Sequence, residues 1–275
     1  MAVISSYNFF GLGIQVHEEV TRVVPHPRTQ INLFRGRNWR ILGGGAVVES
    51  GSGANFLTAM YPMSYREWDF KAKDHMIASP AELKANCFAA QVPQADYMIV
   101  QDTSPAAVNN PTAEARLPPG FVLVGGGARV NWEQTGGPGN LLYASRPGIG
   151  ESWYAAAKDH VSPNPSTITA FAIGLSESFL SSKHLRIVRI RATSEIPVPH
   201  PAVTCGIQER WGTLVSGGAE IHWGGAGSLL TASGPRTIGP SPPSGLYIWE
   251  AKGKDHMNPD PSTIDVWCLA LVPSG

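Results

Sequence analysis

The chain has 275 residues, among them 30 glycines and 23 prolines, and charged residues make up only 15%. Lys plus Arg (21) equals Asp plus Glu (21), so the formal net charge is zero, which gives no support to a general nucleic-acid or polyanion binder. No window reaches the ~18 apolar residues of a membrane span, and the first residues lack a basic segment followed by a small-residue cleavage site. The chain therefore reads as a soluble protein without a recognisable secretion signal.

Taken in order, the elements repeat three times. Each copy runs from a glycine cluster through an alternating strand, a Gly-rich turn and a short apolar run to a Trp strand ending in Lys-Asp-His. The glycine clusters are Gly43 to Gly45, Gly125 to Gly127 and Gly217-Gly218. The Trp strands start at Trp68, Trp153 and Trp249 and end at Lys73-Asp74-His75, Lys158-Asp159-His160 and Lys254-Asp255-His256. A Pro-containing turn and a last apolar strand close each copy. Upstream, Pro25-His26-Pro27 matches Pro199-His200-Pro201, with Asn109-Asn110-Pro111 in the second copy. The chain divides into segments 1–92, 93–180 and 181–275 with short linkers near Gln91–Asp96 and Ser176–Lys183.

Units of about 80–90 residues are too long for the ~40-residue trefoil or propeller blade and suit about six strands each. In the second unit, period-2 alternation predicts strands at Tyr97–Asp102, Thr112–Leu117, Phe121–Trp132, Asn140–Ser145, Trp153–Lys158 and Thr167–Leu175. The one passable helix, Pro80–Asn86, is contradicted by the strand-favouring Thr-Ile-Thr and Thr-Ile-Asp of the other copies. Glycines inside the third strand mark a bulge or a close backbone approach. The expectation is an all-β protein of three homologous units in a pseudo-threefold arrangement, sandwich-like or prism-like.

Gly125–Ala128, Ser145-Arg146-Pro147, Trp153 and Thr169–Ile173 resemble a glycine-rich module of bacterial secreted and surface proteins. That module has a Gly-Gly-Gly-Ala strand, a Ser-x-Pro turn, a Trp strand and a Cys-containing last strand, and brings no established activity. In it, two cysteines at the positions of Cys205 and Cys268 are paired. The resemblance thus implies that these two lie on neighbouring strands within disulfide reach, with Cys87 a lone buried thiol.

Alternation puts Trp68, Trp153 and Trp249 on a core face together with Asp74, Asp159 and Asp255, which cap the following turn. The opposite, outward face carries Lys73, His75, Lys158, His160, Lys254 and His256, a surface suited to a carboxylate, sulfate or phosphate. Asp159 and His160 point to opposite faces, which argues against a hydrolytic triad. His17, His26 and His200 could converge with acidic groups around a threefold axis, but no short-spaced ligand motif exists and no metal or cofactor is expected. Nucleotide-binding loops are absent. Gly51-Ser52-Gly53 and Ser216-Gly217-Gly218 read as turns or bulges, and Arg35 to Arg40 as a solvated hairpin with Arg stems lying on Trp39.

These residues favour a lectin-like multivalent protein for glycans or small anions, its oligomeric state left open. Trp132, Trp223 and Tyr143 are the natural sugar platforms. The first unit has Glu49 or Ser50 where the other two have Trp, which leaves two good sites and one degenerate one. A host-directed toxin or surface module on the same scaffold is a second reading. A third is an enzyme whose single cleft uses residues that break the repeat: His17, Glu18, Glu19, His26, Arg35, Arg37, His184, His200 and His222.

Overall fold

The computed structural model describes residues 2–33, 38–50, 53–134, 140–208, 210–238 and 246–275. The first unit holds β1 (Ala2–Phe9), β2 (Leu12–Val20), β3 (Arg28–Asn32), β4 (Trp39–Ser50), β5 (Asn55–Ser64), β6 (Glu67–Asp74) and β7 (Ala81–Gln91). The second holds β8 (Tyr97–Thr103), β9 (Thr112–Arg116), β10 (Phe121–Val130), β11 (Leu141–Pro147), β12 (Ser152–Lys158) and β13 (Ile168–Ser176). The third holds β14 (Leu185–Thr193), β15 (Ala202–Gly206), β16 (Thr213–His222), β17 (Leu229–Ile238), β18 (Leu246–Lys254) and β19 (Thr263–Pro273). The segment with the one passable helix signal, Pro80–Asn86, leads into β7, as the strand-favouring residues of the other copies indicate. A single-turn helix, α1 (Glu177–Ser182), occupies the segment read as a linker, where the Ser176 hydroxyl caps it by accepting the Phe179 N–H.

All three sheets are antiparallel and each is built from two units. The orders are β1-β2-β7-β4-β17-β18-β15, β3-β6-β5-β10-β13-β8 and β14-β19-β16-β11-β12-β9. The sharing runs in a closed cycle: the first unit joins the second through β5 and β10, the second joins the third through β11 and β16, and the third returns to the first through β17 and β4. Each seam is short, such as Ala144 opposite Glu220 and Ser145 opposite Ala219. A unit therefore cannot satisfy its own sheet edges. Its open edges are covered by its neighbours, which is one way a β protein avoids exposed pairing templates.

The glycine clusters make this closeness possible. A bulge precedes each, between Ile41 and Gly43, Leu123 and Gly125, and Leu214 and Ser216. A Cβ on Gly44, Gly126 or Gly217 would strike Trp68, Trp153 or Trp249 of the same unit. A Cβ on Gly45, Gly127 or Gly218 would strike the backbone of the neighbouring unit at Ser233, Met60 or Ser145. One glycine seats the tryptophan and the next seats the neighbour. The three tryptophans are buried, and large aromatic burial of this kind is a dominant source of core stability.

The repeat also explains a difference among them. Trp153 Nε1 donates to Ser145 Oγ at 3.0 Å and Trp249 Nε1 to Ser233 Oγ at 3.1 Å. In the first unit the matching position is Met60, and Trp68 Nε1 is buried without a hydrogen-bond partner. The Ser-x-Pro element is thus not a turn. It lies within β11, where its serine is the tryptophan's acceptor.

Cys205 and Cys268 form a disulfide with Cα atoms 6.2 Å apart. They are not on neighbouring strands: β15 pairs with β18 and β19 with β14 and β16, so the bond crosses between two facing sheets. With a sequence separation of 63 it constrains the unfolded chain by about 4 kcal/mol in the chain-entropy view. Cys87 is free and buried, and burial pushes its thiol pKa up. Among the described residues no helix is long and apolar enough to cross a membrane.

Candidate functional site at the unit junctions

The aspartates of the Lys-Asp-His elements hold turns. Asp159 Oδ2 accepts the Asn164 N–H at 2.8 Å, Asp255 Oδ2 the Asp260 N–H at 2.8 Å, and Asp74 Oδ2 the Ser79 N–H at 3.3 Å. Their own N–H groups reach the upstream segments at Pro25, Asn109 and Pro199. The Pro-His-Pro stretches are thereby fastened beside the ends of β6 and β18.

The lysines and histidines do not form the outward surface expected of them. Lys73, Lys158, His75, His160 and His256 are buried, and Lys254 is half-buried. The pleat does turn these side chains away from their own unit's core. The face they turn to is covered by the next unit, which alternation within one strand cannot reveal. Lys73 of the first unit lies 4.0 Å over the ring of Trp132 of the second. Lys158 of the second lies 4.2 Å over Trp223 of the third, whose edge also meets Tyr143 at 5.6 Å. Lys158 Nζ donates to Gly225 O at 2.9 Å and stands 3.6 Å from Asp260. Burial lowers both Lys73 and Lys158 to about 8. Two sets of residues proposed as separate sugar and anion sites are therefore one cation–π contact, made twice, and each Trp has one ring face already occupied.

The third junction is different. No Trp stands at the matching sequence position, which is Ser50. Lys254 Nζ lies against Gly53. Here a cavity of about 360 Å³ opens, lined by His200, Pro201, Ala202, Thr231, Lys252, Gly253 and Lys254. A larger one of about 440 Å³ adjoins it through Lys252 and runs across the seam of β4 and β17. Its ionic lining is Glu18, Glu49 and Glu250 against Lys84, Arg236 and Lys252, with Asn86 and Tyr247 beside them. Within it Lys84 pairs with Glu18 at 3.0 Å, Arg236 with Glu250 at 3.2 Å and Lys252 with Glu250 at 2.9 Å.

The corresponding places at the other two seams also carry ion pairs among the described residues. Between the first and second units, Arg28 and Lys71 flank Asp69, and Lys71 also meets Glu133 at 2.8 Å. Between the second and third, Arg146 reaches Glu220 at 2.5 Å and packs on Tyr154 and Trp267. The residues that break the repeat are dispersed. Glu18 and His200 line the third junction. His17 is buried on β2 within the first sheet, on the face opposite Leu12, Ile14 and Val16, His26 pairs with Asp74 at 3.2 Å, and His222 with Asp265 at 2.8 Å. The His184 carbonyl accepts the Ser274 N–H. Arg35 and Arg37 lie outside the described residues, as do Gly51 and Ser52. Arg40, read as part of a solvated hairpin, is buried with its guanidinium 4.2 Å over Tyr65.

At the far ends of the same strands the three histidines meet. Ring centroids of His75 and His160 are 4.8 Å apart, of His160 and His256 5.1 Å, and of His75 and His256 5.4 Å. Each histidine carbonyl accepts the N–H two residues on, at Ile77, Ser162 and Asn258, across a residue of positive φ: Met76 (57°), Val161 (63°) and Met257 (61°). This is the γ-turn geometry that non-glycine residues rarely adopt. Beneath the rings sits an apolar layer of one residue per unit: Phe56, Leu141 and Leu229.

No protein-family model and no curated protein matches the chain. Among solved structures, one described as the triple jelly roll fold and turret assembly in an archaeal virus aligns at 11% identity over 98% of this chain and 88% of that one. Its TM-score of 0.18 is too low to support any argument about this chain.

Proposed function

We propose that the protein is a lectin-like binding protein that takes a carbohydrate in the groove between its third and first units. The observation that carries this reading is the groove itself. It opens at the one junction where the repeat lacks the Trp, and it is bordered by three carboxylates and three cations. That balance favours a neutral polyhydroxyl ligand over a small anion, because each anionic group brought in would meet a carboxylate as well as a cation. Carboxylate, amide and ammonium groups side by side suit neighbouring hydroxyls, which donate to one and accept from the other. Tyr247 and the apolar face of Pro235 supply flat contacts for sugar C–H groups.

The other two junctions hold the same positions with different residues, so they would not bind one ligand equally. A hydrolytic role has less behind it. Glu250 is engaged by Arg236 and Lys252, and Glu18 by Lys84 and Asn86, so neither is set apart as an acid.

The test is a glycan array with the wild type, Lys252→Met, Arg236→Ala and Trp132→Ala. Binding of a neutral glycan that is lost in the first two variants and kept in the third supports the groove. Loss confined to Trp132→Ala moves the site to the first junction. No neutral glycan bound at all overturns the reading.

A further inference from the structure

We propose that His75, His160 and His256 form a site for a borderline divalent transition-metal ion such as Zn(II), one imidazole from each unit. The three residues each offer a ring nitrogen, and these lie within 4.8 Å of one another. A tetrahedral zinc site with bonds of about 2.0–2.1 Å needs ligand nitrogens roughly 3.4 Å apart, so the rings have to close by about an ångström. Side-chain torsions alone can supply a movement of that size.

The pattern of partners is that of a ligating histidine. His160 Nδ1 lies 2.6 Å from the Ala226 carbonyl, and His256 Nε2 lies 3.0 Å from the His75 carbonyl. A carbonyl only accepts, so in both rings the facing nitrogen carries the proton. The lone pair is left on the other nitrogen. A metal-bound histidine usually has its remaining N–H tied to a backbone carbonyl or carboxylate in the same way, which fixes tautomer and ring orientation. His160 Nε2 and both ring nitrogens of His75 are buried and make no hydrogen bond of good geometry, with the carbonyls of His256 and His160 as their nearest backbone acceptors. Buried polar atoms left unmatched are uncommon and costly. Coordination would satisfy them.

The electrostatics agree. Burial holds all three rings below the usual imidazole pKa, His75 at about 3, so they are neutral and carry lone pairs at ordinary pH. Three neutral imidazoles packed edge to face also make a poor anion site, since they bring no charge. Imidazole suits zinc, copper, nickel and iron rather than magnesium or calcium. Three protein ligands leave a coordination position for water or an outside group.

The γ-turns fit the same reading. Three non-glycine residues, one of them β-branched, are held at positive φ immediately after the three histidines. Strain of this kind recurs at ligand clamps. A metal here would bind all three units at once and would stabilise the closed cycle of shared sheets.

A second cluster, Glu220, His222 and Asp265, also has ligand atoms within reach of one another. It serves as a control. Asp265 already accepts from Arg191 at 2.6 Å, Thr193 at 2.5 Å and His222 at 2.8 Å, so its carboxylate is committed to a guanidinium, a hydroxyl and an imidazole.

The experiment is a Zn(II) titration of the full chain by calorimetry after chelator dialysis, with thermal melts alongside and Co(II) absorption as a report on nitrogen ligation. The expected result is one metal per chain, a raised melting temperature and visible d–d bands. His160→Gln and His256→Gln should each weaken binding by on the order of 100-fold, and His222→Ala should leave it unchanged. Should a glutamine variant fail to fold, the wild-type titration still decides. The absence of one-to-one binding by the wild type overturns the proposal, as does binding that survives in both folded glutamine variants or is lost in His222→Ala. None of these outcomes depends on the groove binding sugar.

Discussion

Two of the three unit junctions are built alike and the third differs. At the first two, a tryptophan of one unit slides under a lysine of its neighbour: Trp132 under Lys73, Trp223 under Lys158. At the third, Lys254 stands by Gly53 and a groove runs past it. The same backbone scaffold thus carries a Trp–Lys contact at two seams and, among the described residues, a groove at the third. Trp132 and Trp223, which the sequence offers as sugar platforms, each have one ring face taken by a lysine of the neighbouring unit.

The common framework beneath this contrast is the glycine–tryptophan seat, and breaking it should produce the largest effect. Gly126→Val places a branched side chain against Trp153 and the Phe171 carbonyl. Overpacking against backbone should cost about 4 kcal/mol or more, read as a lowered urea midpoint or a failure to fold. A loss under 1 kcal/mol would mean that the seat is looser than the structure shows.

The Trp–Lys contact comes next. Trp132→Ala should destabilise by about 2–3 kcal/mol, below the range for a core Trp because the ring is only partly buried. The reciprocal change, Ser50→Trp, supplies the third junction with the residue the others carry. It should abolish ligand binding in the groove while leaving the urea midpoint nearly unchanged. Binding that survives Ser50→Trp would separate the site from the missing tryptophan.

The lysines sharpen the same comparison. Lys158→Met leaves the Gly225 carbonyl and Asp260 without their ammonium partner, although Asp260 keeps three backbone N–H donors. A loss of about 2 kcal/mol is expected. Lys254→Met, at the third junction, should cost about 0.5 kcal/mol or less. Equal losses in the two variants would refute the distinction between the first two seams and the third.

A separate effect, outside the seams, concerns acid. Burial lowers His17 to about 4 from its usual 6.5. The unfolded chain then binds the extra proton between those values, so stability is complete above about pH 6.5 and falls as the pH drops towards 4. By pH 5.5 the loss from this residue is about 1.4 kcal/mol. His17→Gln should remove that part of the slope in urea midpoints measured from pH 7.5 to 5, provided the variant folds.

The all-β class, the three tandem units, the buried Trp face and the turn-holding aspartates follow from local pattern, and period-2 alternation together with the triplication makes them readable. The strands of the second unit lie within a residue or two of where alternation puts them. Alternation also states correctly that Lys158 and His160 face away from Trp153. It is silent on what covers that other face, because a strand's period describes one unit and the covering groups belong to another. Burial of the lysines, the meeting of His75, His160 and His256, and the lysine over each of Trp132 and Trp223 all arise from the closed exchange of sheet edges among units. The same holds for Cys205 and Cys268, which the resemblance puts on neighbouring strands but whose bond spans facing sheets. The sequence carries one signal of the histidines' meeting, a histidine at the same strand end in all three copies. Local sequence chooses the strands and their faces, and the long-range pairing of one unit's edge with the next decides which faces see water.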